Sequence, residues 1–405
     1  WVNVVNNTIG VTLLSGVYRL MTCRSAERKA VAKAVEQSPF RSRTFCGRAR
    51  KQKPDPPLAK NGEAWESKVA ELAGRGLPLE ALLNFYMRLG GEVMPTYEPS
   101  IHTTNDVVRL AIIPLTSSTS SSYAEMMNKG HPVKPKKMVT HNWTNRFKDL
   151  MAAVVADALG ELTFHLVSCL LSDREGAEVV MQILEAQGLL HQTYWICAFA
   201  VNQHASICGT SMGVRDTVTK EVLPSCDCAT PKYFNDHPIQ CELNKFDCMM
   251  KHLHRRYSQD FLQVVAIDKD FHMFSRAWCV AELVEAYNSH MDQHVMLHSP
   301  TALEQNSDRL SSLKVENCSA SRAEDKKAIL AKIGAEADIT KFNQRLQQLL
   351  LGSNGLLAGW LDGQKLLQEV GAIAARARAR VYQAEGDSSS HSRAEARESS
   401  EVFEV

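Results

Sequence analysis

The chain has 405 residues, 44% hydrophobic and 22% charged, values that exclude a wholly disordered or fibrous polymer. Its 46 Lys and Arg stand against 45 Asp and Glu, so a net charge of +1 gives the whole chain no reason to seek nucleic acid or another polyanion. Eleven cysteines are too few for a secreted disulfide scaffold, and no window of about 18 to 20 clean apolar residues predicts a membrane span. At roughly 150 residues per domain, the length suggests two or three units.

Residues 1–23 read as a short β-rich segment with no charged start or cleavage site of a signal peptide, and a cytoplasmic protein is expected. The chain starts at Trp1 rather than Met, so a fragment lacking a targeting segment is also an open reading. Residues 24–60 hold eleven basic and three acidic residues and end in Pro54-Asp55-Pro56-Pro57; they read as a basic linker. That stretch carries +8 and the remainder −7, so the near-neutral total is a cancellation. Residues 61–135 read as a helical region followed by loops, with Pro78 near a helix start and a Ser/Thr run from Thr116 to Ser122.

From 136 to 335 strands and helices alternate. Strands are expected at Met138–Trp143, Tyr194–Val201, Leu262–Ile267, Gln293–His298 and Leu313–Cys318. Apolar runs such as YWICAFAV suit strands buried on both faces. About five strands alternating with helices predict an α/β fold with a flavodoxin-like, doubly wound parallel sheet. Such sheets bind ligands outside the carboxyl ends of their strands, at a topological switch point. Residues 336–385 read as a helical tail and 386–405 as disordered.

Several residues gather at those strand ends. Asp268 and Asp270 flank Lys269 and could bind Mg²⁺ or a ribose, or simply end the strand. His141 could serve as a general base or as a hydrogen-bonded structural histidine. With His204 and Glu282, it could converge on one site. The insertion 203–241 contains Cys208, Cys226, Cys228 and Cys241. Four thiols in a loop without a core suit a tetrahedral structural zinc, although free thiols or a disulfide remain alternatives.

Three motifs carry a family resemblance. The stretch Ala266–Ala286 (AIDKDFHMFSRAWCVAELVEA) resembles the Ser–Trp–Cys–x–x–Glu–Leu helix of Toll/interleukin-1 receptor (TIR) domains, through Ser275, Trp278, Cys279, Glu282 and Leu283. Here two residues rather than one separate Ser275 from Trp278. MVTHNW resembles that family's opening strand, and YWICAFAVNQH its second, with Gln203 at the matching place. The pattern VTHNW…AFAVNQH…SRAWCVAEL is also similar to a group of algal protist proteins. The resemblance covers about 200 of the 405 residues. It departs in a long interval from Trp143 to Tyr194 and in the cysteine-bearing insertion.

The resemblance implies a TIR-like signalling or scaffolding module that acts by self-association or by binding another protein. Enzymatic TIR domains instead cleave the nicotinamide–ribose bond of NAD, with the helix Glu as catalytic residue. Carried over, that residue is Glu282, which could hold ribose hydroxyls and stabilise an oxocarbenium-like transition state. Trp143 or Trp278 could stack on a flat base, with Gln203 beside it. Core packing is the competing role for Trp278 and Cys279, and a solvated helix face the competing place for Glu282.

Overall fold

The computed structural model describes residues 62–209, 213–257, 261–320, 322–353 and 355–360. The expected β-rich segment, basic linker, distal helical tail (361–385) and disordered tail (386–405) lie outside the described residues. The chain forms two compact units, Trp1–Leu346 and Gln347–Val405.

The first unit is built on a five-stranded sheet. In chain order its strands are β1 (Leu77–Pro78), β2 (Lys137–His141), β3 (Thr193–Ile196), β4 (Leu262–Ala266) and β5 (Gln293–Met296). They lie side by side as β1-β3-β2-β4-β5. β2, β3, β4 and β5 are parallel, with Met138 beside Trp195 and His141 beside Ala266. β1 runs antiparallel to β3, Leu77 opposite Tyr194 and Pro78 opposite Thr193. Proline cannot donate to a ladder, so this dipeptide suits only the sheet edge it occupies.

Alternation along the strands divides the core. Val139, Tyr194, Ile196, Val264 and Met296 face one hydrophobic layer, whereas Met138 and Trp195 face the other. Helices cover both. On the second face lie α1 (Glu63–Ala73) and, further along the chain, two helices described below. The first face is covered by α2 (Leu79–Arg88), by a helical run over 104–116 (α3), by α4 (Tyr123–Met127) and by α5 (Phe147–Leu159). The middle of α3, Val108–Ile112, is a π-helical segment.

Almost every residue of α5 is buried, because it has the sheet on one side and α2 on the other. A helix apolar on nearly all sides fits only such a position. It stops at Gly160, whose φ of 74° a side chain would resist. Phe85 of α2 meets Tyr123, Phe147 and Phe199 edge-on, with ring centroids 5.1, 5.9 and 5.2 Å apart.

The long interval before β3 is filled by α6 (His165–Leu170) and α7 (Arg174–Ala186). After β3 come a one-turn helix α8 (Cys197–Ala200), the insertion, and α9 (Phe246–Tyr257). After β4 comes α10 (Ala277–Asn288), which joins α1 and α9 over the second face. Then follow α11 (Pro300–Ser311), α12 (Ala323–Ile333) and α13 (Glu336–Leu351). In the second unit, the described residues complete α13 and turn back, Leu356 N–H donating to Leu349 O at 2.7 Å.

Four local expectations need correcting. The 194–201 run is not one strand: β3 stops at Ile196 and α8 follows. Leu313–Cys318 is not a strand: it holds a 3-10 turn, Val315–Asn317, and Val315 N–H bonds the Asn343 side chain instead of a ladder. The two helical stretches expected before residue 95 form as α1 and α2, but the Leu77–Pro78 edge strand between them joins this N-terminal region to the same sheet as the α/β region. Residues 96–135 hold α3 and α4, whose first turns are closed by capping boxes at Thr103–Asp106 and Ser122–Glu125.

One buried ion pair ties these parts together. Arg75, 4% exposed, donates to Glu242 at 2.9 Å and to Ala200 O at 2.9 Å. It also pairs with Glu71 of α1 and, at 3.2 Å, with Glu125 of α4. Arg75→Ala would leave the buried Glu242 carboxylate with Lys68, 3.1 Å away, as its remaining cation, beside the Asn202 N–H at 2.8 Å. The expected loss in urea unfolding is about 3 kcal/mol, the lower end for breaking a buried pair because Lys68 remains. A loss under about 1 kcal/mol would show that the pair does not organise the fold.

Candidate functional site

The parallel part of the sheet begins at β2, turns to β3 on one side and then crosses to β4 on the other. Its switch point therefore lies between β2 and β4. A cleft of about 320 Å³ opens there, at the carboxyl ends of both strands. Its lining is polar and includes Asn142, Arg146, Asp149, Asp268, Lys269 and Asp270. Asp268 and Asp270 thus do sit at the switch point. The Asp268 carboxylate, however, already accepts from His272 N–H at 2.8 Å and Met273 N–H at 2.7 Å, which fixes the turn before α10. Asp149 is likewise committed, to Ser168 and Arg146 at 2.6 and 2.8 Å. The exposed members, Lys269 and Asp270, leave a pair of opposite charges at the rim.

Glu282 lies on α10, on the other side of the β2 end. Thr140 donates to its Oε2 at 2.6 Å, and Thr140 accepts from Gln263 Nε2 at 2.7 Å. Gln263 Oε1 in turn accepts from Gln293 Nε2 at 2.7 Å. A polar chain thus crosses β2, β4 and β5 beneath the helix. Burial pushes the Glu282 carboxyl up to about 7, against the Thr140 hydrogen bond that acts downward. Two thiols flank it. Burial, then the Glu282 charge, raises Cys197 to about 12 and Cys279 well above the ordinary thiol range.

His141 adjoins this group. Its Nε2 lies 3.5 Å from Cys197 Sγ, its carbonyl accepts from the Cys279 thiol at 3.3 Å, and its Nδ1 is buried without a partner. Burial lowers it to about 4, so the ring is neutral at physiological pH. Trp143 donates from Nε1 to Cys197 Sγ at 3.2 Å. His141, Trp143 and Glu282 therefore share one neighbourhood, with Cys197 as the link that the motif reading missed. Trp278 is instead half-buried against Phe246, ring centroids 6.4 Å apart. Gln203 is a buried structural residue whose amide donates to the Cys197 and Ala198 carbonyls at 3.4 and 3.2 Å, fastening α8.

His204 does not reach Glu282. It joins Cys208, Cys226 and Cys228, with all four donor atoms within 4.8 Å of one another, a group that could hold a metal ion. Cys241 lies outside this group. Its thiol is buried near Lys245 and Asp325, and its carbonyl accepts from Lys245. The sequence signal for His204 is the spacing His204-x-x-x-Cys208, which brings both side chains to one side of a tight turn. All nine described cysteines are free.

No helix among the described residues is long and apolar enough to cross a membrane. Compared with family models, curated proteins and solved structures, the chain matches none.

The Glu282 carboxyl should be visible in stability. Its folded state keeps a proton that the unfolded chain releases between about pH 4.5 and 7, so stability falls as pH rises through that window and levels off above it. His141 acts oppositely, losing stability as pH falls from 6.5 to about 4. Comparing Glu282→Gln with the parent protein isolates the first effect. At pH 8 the variant should be more stable by roughly 2–3 kcal/mol, and the gap should close below about pH 4.5. A pH-independent gap in thermal unfolding would refute the raised carboxyl.

Proposed function

We infer that this chain is a TIR-like module, with a flavodoxin-like doubly wound sheet, that signals or scaffolds through self-association or a protein partner. Support for the fold part comes from the parallel strands. Their order is second-first-third-fourth in chain sequence, and the Ser275–Leu283 motif falls at the start of the helix after the third of them. Support for binding over catalysis comes from one observation: the Glu282 carboxyl is committed to Thr140 beneath α10, while the open cleft is lined by other residues.

The alternative, an NAD glycohydrolase, draws on a different observation. A carboxyl raised to about 7 by burial is poised to exchange a proton near neutrality.

Two measurements separate the readings. Incubation with NAD, followed as nicotinamide release, should give no signal that depends on Glu282. Release by the parent protein that is lost in Glu282→Ala would overturn the binding reading in favour of the hydrolase. Light scattering should give a mass that rises with concentration or on adding a protein partner.

A further inference from the structure

We propose that His204 Nδ1 and the sulfurs of Cys208, Cys226 and Cys228 bind one structural zinc ion that cross-links the two ends of the Cys208–Cys228 loop within the insertion, beside α3. The donors have the right softness, since three thiolates and one imidazole suit zinc in preference to magnesium or calcium. They also have nearly the right spacing. Tetrahedral zinc with its usual bond lengths separates two sulfurs by about 3.8 Å and a sulfur from a nitrogen by about 3.6 Å. Cys208 Sγ lies 3.4 Å from Cys228 Sγ, and Cys226 Sγ lies 3.6 Å from His204 Nδ1. Four protein donors close the coordination shell, which is the arrangement of a structural rather than a catalytic site.

The surroundings are built to match. Thr116 of α3 donates to the Ile112 carbonyl at 2.8 Å, so its oxygen is left to accept from His204 Nε2 at 2.8 Å. That bond puts the ring proton on Nε2 and turns the Nδ1 lone pair toward the sulfurs, as the outer partners of metal-bound histidines do. His204 itself is held by Asn202, whose Oδ1 accepts from His204 N–H at 3.0 Å and Ala205 N–H at 3.3 Å.

Zinc with three thiolates and a neutral imidazole carries a net −1, after the thiols release their protons to solvent. Two cations face that charge. Lys232 Nζ lies 3.7 Å from Cys228 Sγ, and Arg109, in the π-helical segment of α3, donates to the carbonyl of Ile207, next to Cys208, at 3.5 Å. The backbone closes around the site as well, with Cys226 N–H donating to Cys208 O at 3.0 Å.

The test is the metal content of the full chain, purified under reducing conditions without chelator. About one zinc per chain is expected in the parent protein and in Cys241→Ser, and a loss of most of it in Cys208→Ser and Cys226→Ser. Absence of zinc even after reconstitution with zinc chloride would overturn the site, as would its loss in Cys241→Ser. Should the ligand variants fail to fold, Co²⁺ added to the metal-free parent protein decides. Tetrahedral d–d bands with thiolate charge transfer support the site, and a pale octahedral spectrum refutes it. Thr116→Val should keep the stoichiometry but weaken zinc about 10–100-fold in chelator competition. Unchanged affinity would remove Thr116 from the positioning role.

Discussion

A guanidinium buried without counter-charges would cost several kcal/mol, so the residues that answer Arg75 are constrained to meet. They come from four places in the chain. Glu71 is on α1, Glu125 on α4, the Ala200 carbonyl at the end of α8, and Glu242 at the far end of the insertion. Glu242 also accepts from Asn202 N–H at 2.8 Å. One carboxylate thus joins the entry and exit of the insertion and anchors both to the N-terminal helices. Closing so long a loop costs entropy, and each doubling of length adds only about 0.6 kcal/mol, so a single well-shielded contact at its base can hold it. Asn202, positioned by that contact, then caps the turn that carries His204.

The second constraint is polar and lies inside the sheet. Thr140 sits where an apolar β2 residue would be expected, and it is acceptable there only because Gln263 and Glu282 satisfy it on either side. The same enclosure that satisfies Thr140 raises the Glu282 carboxyl, while His141 one residue later is lowered. Their opposing pH dependences overlap between about 4.5 and 6.5, so there the contributions of these two groups offset one another while each stays perturbed. A structural network and a titratable cluster are here the same atoms.

How much of this was legible before the structure differs by element. β2, β4, α5 and α10 follow directly from apolar periodicity, because each is long or strongly patterned. β1 was not legible, since two residues carry no period and Leu77-Pro78 becomes a strand only by meeting the free edge of β3. The run from Tyr194 to Val201 was ambiguous for a physical reason: a short apolar stretch buried on all sides looks alike as strand and as helix. Leu313–Cys318 alternated as a strand should, yet Asn343 drew its backbone elsewhere. Among site residues, the three clustered cysteines were readable from proximity in sequence. Choosing His204 over Cys241 was not, because it depends on Asn202, Thr116 and the fold of a loop.

The insertion and the cleft, distant in sequence, meet through α3. Its Thr116 end holds His204. Its other end holds the middle of the insertion, where Asp106 accepts from the Thr217 hydroxyl and His102 lies 3.4 Å from Asp216. That same end is bonded to the segment after β2: Thr104 N–H donates to Asn145 O at 2.9 Å, Asn105 N–H to Trp143 O at 3.0 Å, and Phe147 N–H to His102 O at 3.0 Å. Asn145 and Arg146 line the cleft, and Trp143 touches Cys197 beside Glu282. α3 therefore acts as a splint, with the insertion fixed along one side and the loop bordering both the cleft and the Glu282 cluster along the other. Anything that loosens the insertion from α3 removes support from that loop first, because the loop's backbone donors and acceptors are spent on the end of α3 that the insertion holds.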